Sequence, residues 1–340
     1  MEFFMRKLWL ILTLLAASLV CLTPALAGQS DGFIASSAVS ESGDQPQVFW
    51  TPEKISQALA NPKITGKPGS GSSLGLSSEL STGAGTLLTA PGYCPDCSEE
   101  SPAPAAPAFR SGATCPASPY EWLFDTDYGA YPQRVVGRLL FMTPSGELSC
   151  CTASLVEKRL LLTAGHCVSE NGQWMQNIIF IPGYLDGLEP FGVGHAEWAI
   201  TPSDWLHLEM PTRDVAFVRI QESLGDRLGW VGFMANAERS GFNWEQYGYP
   251  SEAPFDGSKL AKNTSAWGAD DCTSGTPCPI GVGSIFTGGS SGGPWLKNRD
   301  GELFANGLNS YFYYECETTM YSPYFDQDVW ELFEKARATQ

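Results

Sequence analysis

Three short stretches of the chain combine residue types able to hydrolyse an amide. That chemistry needs a nucleophile, a base to take its proton, a group to orient the base and N–H donors for the oxyanion. In Leu161-Leu-Thr-Ala-Gly-His166-Cys167 an apolar run ends in small residues and then presents one of only three histidines. Cys167 can bond back to Cys151, at the start of the preceding strand, and so pin the loop that carries the imidazole. In Arg213-Asp214-Val-Ala-Phe-Val-Arg-Ile220 an aspartate directly precedes an apolar strand. Buried there, it would fix the imidazole tautomer and stabilise the imidazolium. In Thr287-Gly-Gly-Ser-Ser-Gly-Gly-Pro294 the glycines permit a tight turn that aims backbone amides into a small concavity. Ser291 is the candidate nucleophile there, and the amides of Gly289 and Ser291 are the candidate oxyanion hole.

Each stretch also has a plainer reading: a structural histidine, a turn aspartate, a flexible Gly/Ser loop. The last is weakened because Pro294 and Trp295 lead straight into apolar sequence. Chain order separates the convergent triads. Gly289-Ser-Ser291-Gly-Gly293 also satisfies G-x-S-x-G, the hydrolase nucleophile elbow, but that fold places its histidine after the serine, and none follows His207. The subtilisin order needs an aspartate ahead of His166, and neither Asp125 nor Asp127 sits in a strand-end motif.

The elements needed to position these groups are short strands. Val135–Phe141, Cys151–Leu155, Arg159–Thr163, Asn177–Ile181, Val215–Ile220 and Phe304–Leu308 read as strands with turn residues between them, Pro144-Ser-Gly146 among these. Many short strands at this spacing predict an all-β barrel or sandwich. Near the end, Asp326 can cap a helix over 327–337 with Val329, Leu332 and Phe333 on one face. A second helix is expected after Thr51, with Pro52 at its first position, Glu53 in its first turn and Ile55, Ala58 and Leu59 as its apolar face.

The motifs Cys-Thr-Ala-Ser-Leu at 151–155, Thr-Ala-Gly-His-Cys at 163–167, Asp-Val-Ala-Phe-Val at 214–218 and Gly-Ser-Ser-Gly-Gly-Pro at 289–294 resemble those of the trypsin/chymotrypsin-like serine peptidases. The wording is nearest to the bacterial glutamyl-endopeptidase-like branch, and the match spans about Val135 to Arg337. The resemblance implies two antiparallel six-stranded β-barrels, a triad of His166, Asp214 and Ser291 in the cleft between them, and a C-terminal helix. It also implies that Ile285 lies at the base of the pocket for the residue before the cut, so selection for Arg or Lys is not expected and an uncharged residue is. Asn309, Ser310 and Tyr311 match the strand that lines this pocket and binds substrate main chain. Glutamyl selectivity would use a histidine after the nucleophile, and there is none. Regulated members carry an aspartate just before the nucleophile, to pair with a newly cut N-terminus, but here that position is Ser290. Although Arg134-Val135-Val136-Gly137 looks like a site for such a cut, Val135 is read as the first barrel strand, with residues just before it staying in the mature protein.

Across 340 residues the composition is 43% hydrophobic and the formal charge is −17, with a pI near 4.5. A polyanionic surface excludes nucleic acid as a natural partner and suits solubility outside the cell. Residues 1–27 read as a signal peptide: basic Arg6 and Lys7, apolar Leu8 to Leu22, a break at Pro24 and an A-x-A site at Ala25-Leu26-Ala27. An uncleaved anchor, or lipidation at Cys21, is the competing reading. Residues 28–118 read as a pro-segment, largely flexible and Gly/Ser/Pro-rich from about Gly66 to Pro107, where few large apolar residues offset the ordering entropy. The catalytic domain is then 119–340.

Ten cysteines, nine without Cys21, are expected mostly to pair in an exported chain. Cys94-Pro-Asp-Cys97 favours a local disulfide over a redox or zinc role, and Cys272 and Cys278 bracket a turn that suits another. The partners of Cys115, Cys150 and Cys316 stay open. No cofactor and no catalytic metal are expected, since three scattered histidines and mostly paired cysteines give no zinc set. The expected protein is a secreted monomeric serine endopeptidase acting on proteins or peptides. The competing reading is an inactive binding protein on the same fold.

Overall fold

The computed structural model describes residues 32–36, 49–63, 66–67, 85–97 and 118–339. The expected signal peptide, Cys21, Cys115 and most of the Gly/Ser/Pro-rich stretch lie outside the described residues.

Seven strands build the first sheet: β1 (Phe33–Ser36), β5 (Val136–Met142), β6 (Leu148–Glu157), β7 (Leu160–Thr163), β10 (Gln176–Pro182), β11 (Gly194–Pro202) and β12 (Ala216–Ile220). Their order is β1-β11-β10-β5-β6-β7-β12, and β11 also pairs with β12, which closes six of them into an antiparallel barrel with β1 added outside. Closure removes the sheet edges that would otherwise be left unpaired. Strands β5, β6 and β7 are buried on nearly every residue, because one face fills the barrel and the other packs against neighbouring elements. This explains why they read as continuous apolar runs rather than as alternation. A small hairpin, β8 (Ser169–Glu170) with β9 (Gln173–Trp174), follows the histidine loop.

The second sheet uses β2 (Gly66–Lys67), β3 (Leu88–Ala90), β4 (Tyr120–Phe124), β13 (Gly232–Ala235), β14 (Asn243–Gly248), β15 (Ala261–Asp270), β16 (Ile280–Gly283), β17 (Pro294–Arg299), β18 (Glu302–Leu308), β19 (Tyr311–Tyr313) and β20 (Cys316–Ser322). Its order is β2-β19-β20-β16-β15-β14-β17-β18-β13-β3, with β4 on β15.

The helices among the described residues are α1 (Pro52–Leu59), α2 (Ser203–Leu208), α3 (Gly225–Leu228) and α4 (Gln327–Ala338). The Asp326 side chain accepts from Val329 N–H, as its position at the start of α4 predicts, and Val329, Leu332 and Phe333 are buried. Helix α1 is capped by Thr51 and buries Ala58. The expected strand at Val135 begins one residue later, since 133–135 forms a 3-10 turn. Among the described residues no helix is long and apolar enough to cross a membrane.

Residues 85–97 fall inside the stretch expected to be too polar to order, yet they are packed on the second sheet. β3 pairs with β13, Tyr93 bridges Trp230, and Cys94 joins Cys97 at a Cα separation of 5.4 Å. Arg134, itself buried, binds Asp96 of that disulfide turn. A few apolar residues, Leu88, Ala90 and Tyr93, suffice here because the backbone bonds come from an existing sheet edge.

Candidate active site

β7 ends at Thr163, and the chain turns through 165–167 so that the imidazole of His166 faces the strand start at Asp214. His166 Nδ1 lies 2.8 Å from Asp214 Oδ2, and the His166 backbone N–H donates to Asp214 Oδ1, also at 2.8 Å. Two bonds from one residue to both carboxylate oxygens fix the ring's position and leave Nε2 on the side away from the carboxylate. The expected disulfide Cys151–Cys167 holds the loop, with sulfurs 2.00 Å apart. Closing a loop of 16 residues is worth about 3 kcal/mol in the chain-entropy account. Arg213 anchors the other partner by a two-pronged bond to Asp326, at 2.9 and 3.0 Å, tying the aspartate loop to the cap of α4.

Asp214 is fully buried and also accepts from Ser310 Oγ at 2.5 Å. Burial alone would push its carboxyl up. The imidazole beside it, the bonds from the imidazole and from Ser310, and the His166 N–H outweigh burial and hold it below the ordinary carboxylate value. It is therefore a fixed negative charge under the ring.

Ser291 sits on the glycine turn after β16. Gly289 has φ +88° and Gly292 has φ +80°, conformations costly for other residues. A Cβ on Gly289 would lie 2.6 Å from Ser251 Oγ, and one on Gly292 would lie 2.2 Å from Thr163 Oγ1. The loop is held from below. Ser251 N–H donates to Gly288 O at 2.9 Å, and Thr152 Oγ1 donates to Gly289 O at 2.8 Å. Arg138, with no exposed surface, donates to Ser251 Oγ at 3.1 Å and to Gly257 O at 2.7 Å. Ser290, where a carboxylate could have met a new terminus, is buried and spends its hydroxyl on Thr287 O at 2.7 Å.

The cleft holds a segment of the chain itself. Gly289 N–H donates to the carbonyl oxygen of Lys63 at 3.0 Å, and Ser291 Oγ faces the same oxygen at 3.5 Å. His166 Nε2 is buried with no hydrogen-bond partner. The structure thus brings His166, Asp214, Gly289 and Ser291 together, with the serine turned to Lys63 rather than to the ring.

The residues expected to line the substrate pocket divide. Ser310 buttresses Asp214. Tyr311 gives its hydroxyl to Asp271 Oδ2 at 2.5 Å and stacks on Tyr321. Ile285 is half-buried beside an aromatic cluster. Asn309 departs from the expectation. It is fully buried, its amide donates to Tyr247 O and Ser290 O, and it accepts from Trp295 Nε1. Its backbone N–H and C=O are both bonded to the nucleophile loop. With every polar group engaged inside the fold, it ties that loop to the sheet and has nothing to offer a substrate.

No local motif marks Lys63, Glu170, Arg138 or Asp271. Asp271 collects bonds from Thr273, Ser274, Tyr311 and Tyr313, residues up to 42 positions apart. The third expected disulfide, Cys272–Cys278, forms directly after it. Cys316 is disulfide-bonded too, whereas Cys150 is a buried free thiol beside Arg138.

The trypsin family profile matches residues 134–334. The chain belongs to the trypsin family. Solved structures similar to it include the protease Anisep from Arthrobacter nicotinovorans, at 29% identity and a TM-score of 0.57 over 64% of this chain and all of that one. The thermostable serine protease AL20 from an extremophilic microorganism matches at 29% and 0.55, over 61% of this chain and 99% of that one. A Glu endopeptidase matches at 17% and 0.54, over 64% and 97%, which speaks to the chymotrypsin-like fold alone. Among curated proteins, an extracellular metalloprotease of Bacillus subtilis strain 168 is 25% identical over 165 residues, 44% of this chain. The chain spans about half of that relative's length, 52%. The group of potential metal ligands at this trypsin-family site is Cys151, His166 and Cys167. Both sulfurs are spent in a disulfide and Nδ1 on Asp214, so this donor set does not fit a metal.

Proposed function

We propose that the chain is an exported serine endopeptidase made as a precursor, with residues 1–27 as signal peptide, 28–118 as pro-segment and 119–340 as the catalytic domain. The reading rests above all on the fixed His166–Asp214 pair beside a serine whose loop aims the Gly289 N–H at a peptide carbonyl. Ser291 Oγ attacks the substrate carbonyl carbon and passes its proton to His166 Nε2. The oxyanion rests on the amides of Gly289 and Ser291. The C–N bond then breaks, His166 returns the proton to the leaving amine, and water releases the acyl group by the same steps. Three disulfides among the described residues favour an oxidising compartment. Ile285, with no acid at its position, favours an uncharged residue before the cut.

The unmade bond between Ser291 and His166 is what favours the other reading, an inactive peptide-binding protein. A fluorophosphonate probe decides between them. The processed protein is expected to be labelled at Ser291 and to cut a peptide library after uncharged residues. A folded, processed protein that takes no label would refute the enzyme.

A further inference from the structure

Asn61 to Lys63 is bound as a ligand is bound. Helix α1 packs on β5 and β6, and Trp50 Nε1 donates to Asn177 O at 2.7 Å, which delivers the next residues to the cleft. Asn61 donates to Leu148 O at 2.9 Å and accepts from Ser149 Oγ at 2.6 Å. Lys63 N–H donates to Cys150 O at 2.9 Å, while its ammonium meets Glu170 at 2.5 Å. Its carbonyl then enters the oxyanion site.

This placement cannot lead to hydrolysis. Ser291 Oγ is a donor to the carbonyl oxygen, not a neighbour of the carbonyl carbon, so the attack trajectory is not set up. The polarity is also wrong. Asn61, Pro62 and Lys63, the acyl side of that carbonyl, share a cavity with His166, Ser169 and Trp205. The amine side continues to Gly66 and Lys67, which pair with Phe312 and Tyr313 of β19. A cut needs the leaving nitrogen beside His166, which must protonate it. Both backbone pairings, Pro62 with Cys150 and β2 with β19, are parallel.

We propose that residues 61–63 and 66–67 act as a tethered peptide inhibitor threaded against the productive direction, and that Glu170 with the main chain at Leu148–Cys150 is the subsite that recognises its lysine. The inference rests on the assignment of Ser291 as nucleophile. It adds that the blocking peptide survives contact with the nucleophile, so release must come from a cut elsewhere.

The test uses the full-length chain. Fluorophosphonate labelling of Ser291 should be slow in the wild type and about tenfold faster in Lys63→Glu and in Glu170→Lys, the loss expected for one charge-assisted bond. The double variant, with the charges exchanged, should return towards the slow rate. Mass spectrometry should find no fragment ending at Lys63. Hydrogen exchange on a Ser291→Ala background supplies a readout free of catalysis: the amide at position 63, bonded to Cys150 O, should be protected, and exposed once Lys63→Glu is added. If exchange behaves so while no variant is ever labelled, the peptidase reading fails and the inhibitor falls with it, leaving only a docked segment. Equal labelling and equal exchange in the wild type and both single variants would overturn the inhibitor, as would scission after Lys63.

Discussion

Ser251 N–H bonds Gly288 O at 2.9 Å, and this one contact decides where the next amide points. The peptide between Gly288 and Gly289 is planar and trans, so pinning its oxygen on one side turns the Gly289 N–H to the other, into the cleft. Arg138 in turn bonds the Ser251 hydroxyl. A buried guanidinium thus supports the oxyanion amide through one intermediary, where Ser290 offers no carboxylate for a new terminus.

Arg138→Met, close in length but without the fork of donors, is therefore expected to lower kcat of the processed enzyme about 100-fold, as displacing one oxyanion donor does. KM should hardly move. Steady-state kinetics on one peptide checks this. A loss confined to KM, or to the amount of folded protein, would show that Arg138 only fills space.

Ser291→Ala should cost the processed enzyme roughly a million-fold in kcat and leave the thermal midpoint nearly unchanged, since the group removed is one hydroxyl and the triad works as a unit. Residual turnover would come from the oxyanion site alone. Activity near the wild-type level would move the nucleophile elsewhere.

Asp214 and Asp271 set the acid limit. Burial would raise the Asp271 carboxyl, but the bonds from Ser274, Thr273, Tyr311 and Tyr313 outweigh it, and both aspartates lie below their ordinary value of 3.8. A folded value below the unfolded one means that the unfolded chain binds more protons. The stability both contribute is complete above about pH 4 and is lost as pH falls through the folded values. Thermal midpoints should be level from neutral pH to about pH 4 and drop steeply below it. Asp271→Asn should lower the midpoint at pH 7 and lie closer to the wild type in acid. A constant gap across that range would be inconsistent with this account.

Asn309→Ala should act on stability rather than on binding. It leaves Trp295 Nε1 without its acceptor, at about 1–3 kcal/mol for a buried group, and takes one donor each from Tyr247 O and Ser290 O, the latter keeping the Gly293 N–H. Denaturant unfolding should show the loss, while KM of the folded fraction stays put. A raised KM in fully folded protein would restore Asn309 to the substrate-binding strand.

The site was legible where its chemistry is local. His166 with Cys167, Asp214 before its strand and Ser291 among glycines each carry their structural reason within a few residues, and the closed barrel follows from the short apolar runs between them. What lay hidden depends on distant pairing. Nothing around Arg138 announces Ser251, 113 positions away. Nothing around Lys63 announces Glu170, 107 positions away. Asn309 reads as available for substrate because nothing near it in sequence announces its five bonds, three from the side chain and two from the backbone. The order of residues 85–97 was underrated because a sheet edge supplies half of the bonds, and composition does not reveal that edge.

That edge has a consequence for maturation. β3 covers β13, and the stretch from Asn61 to Lys67 lies on the same side of any cut made after Cys97. Such a cut would leave strand and inhibitor docked, held only by their own contacts. A tether of this kind keeps its ligand at an effective concentration of about millimolar. Severing it makes occupancy depend on how dilute the protein is. A freshly cut sample would stay silent where it is crowded and become active as it spreads, so dilution itself completes the activation.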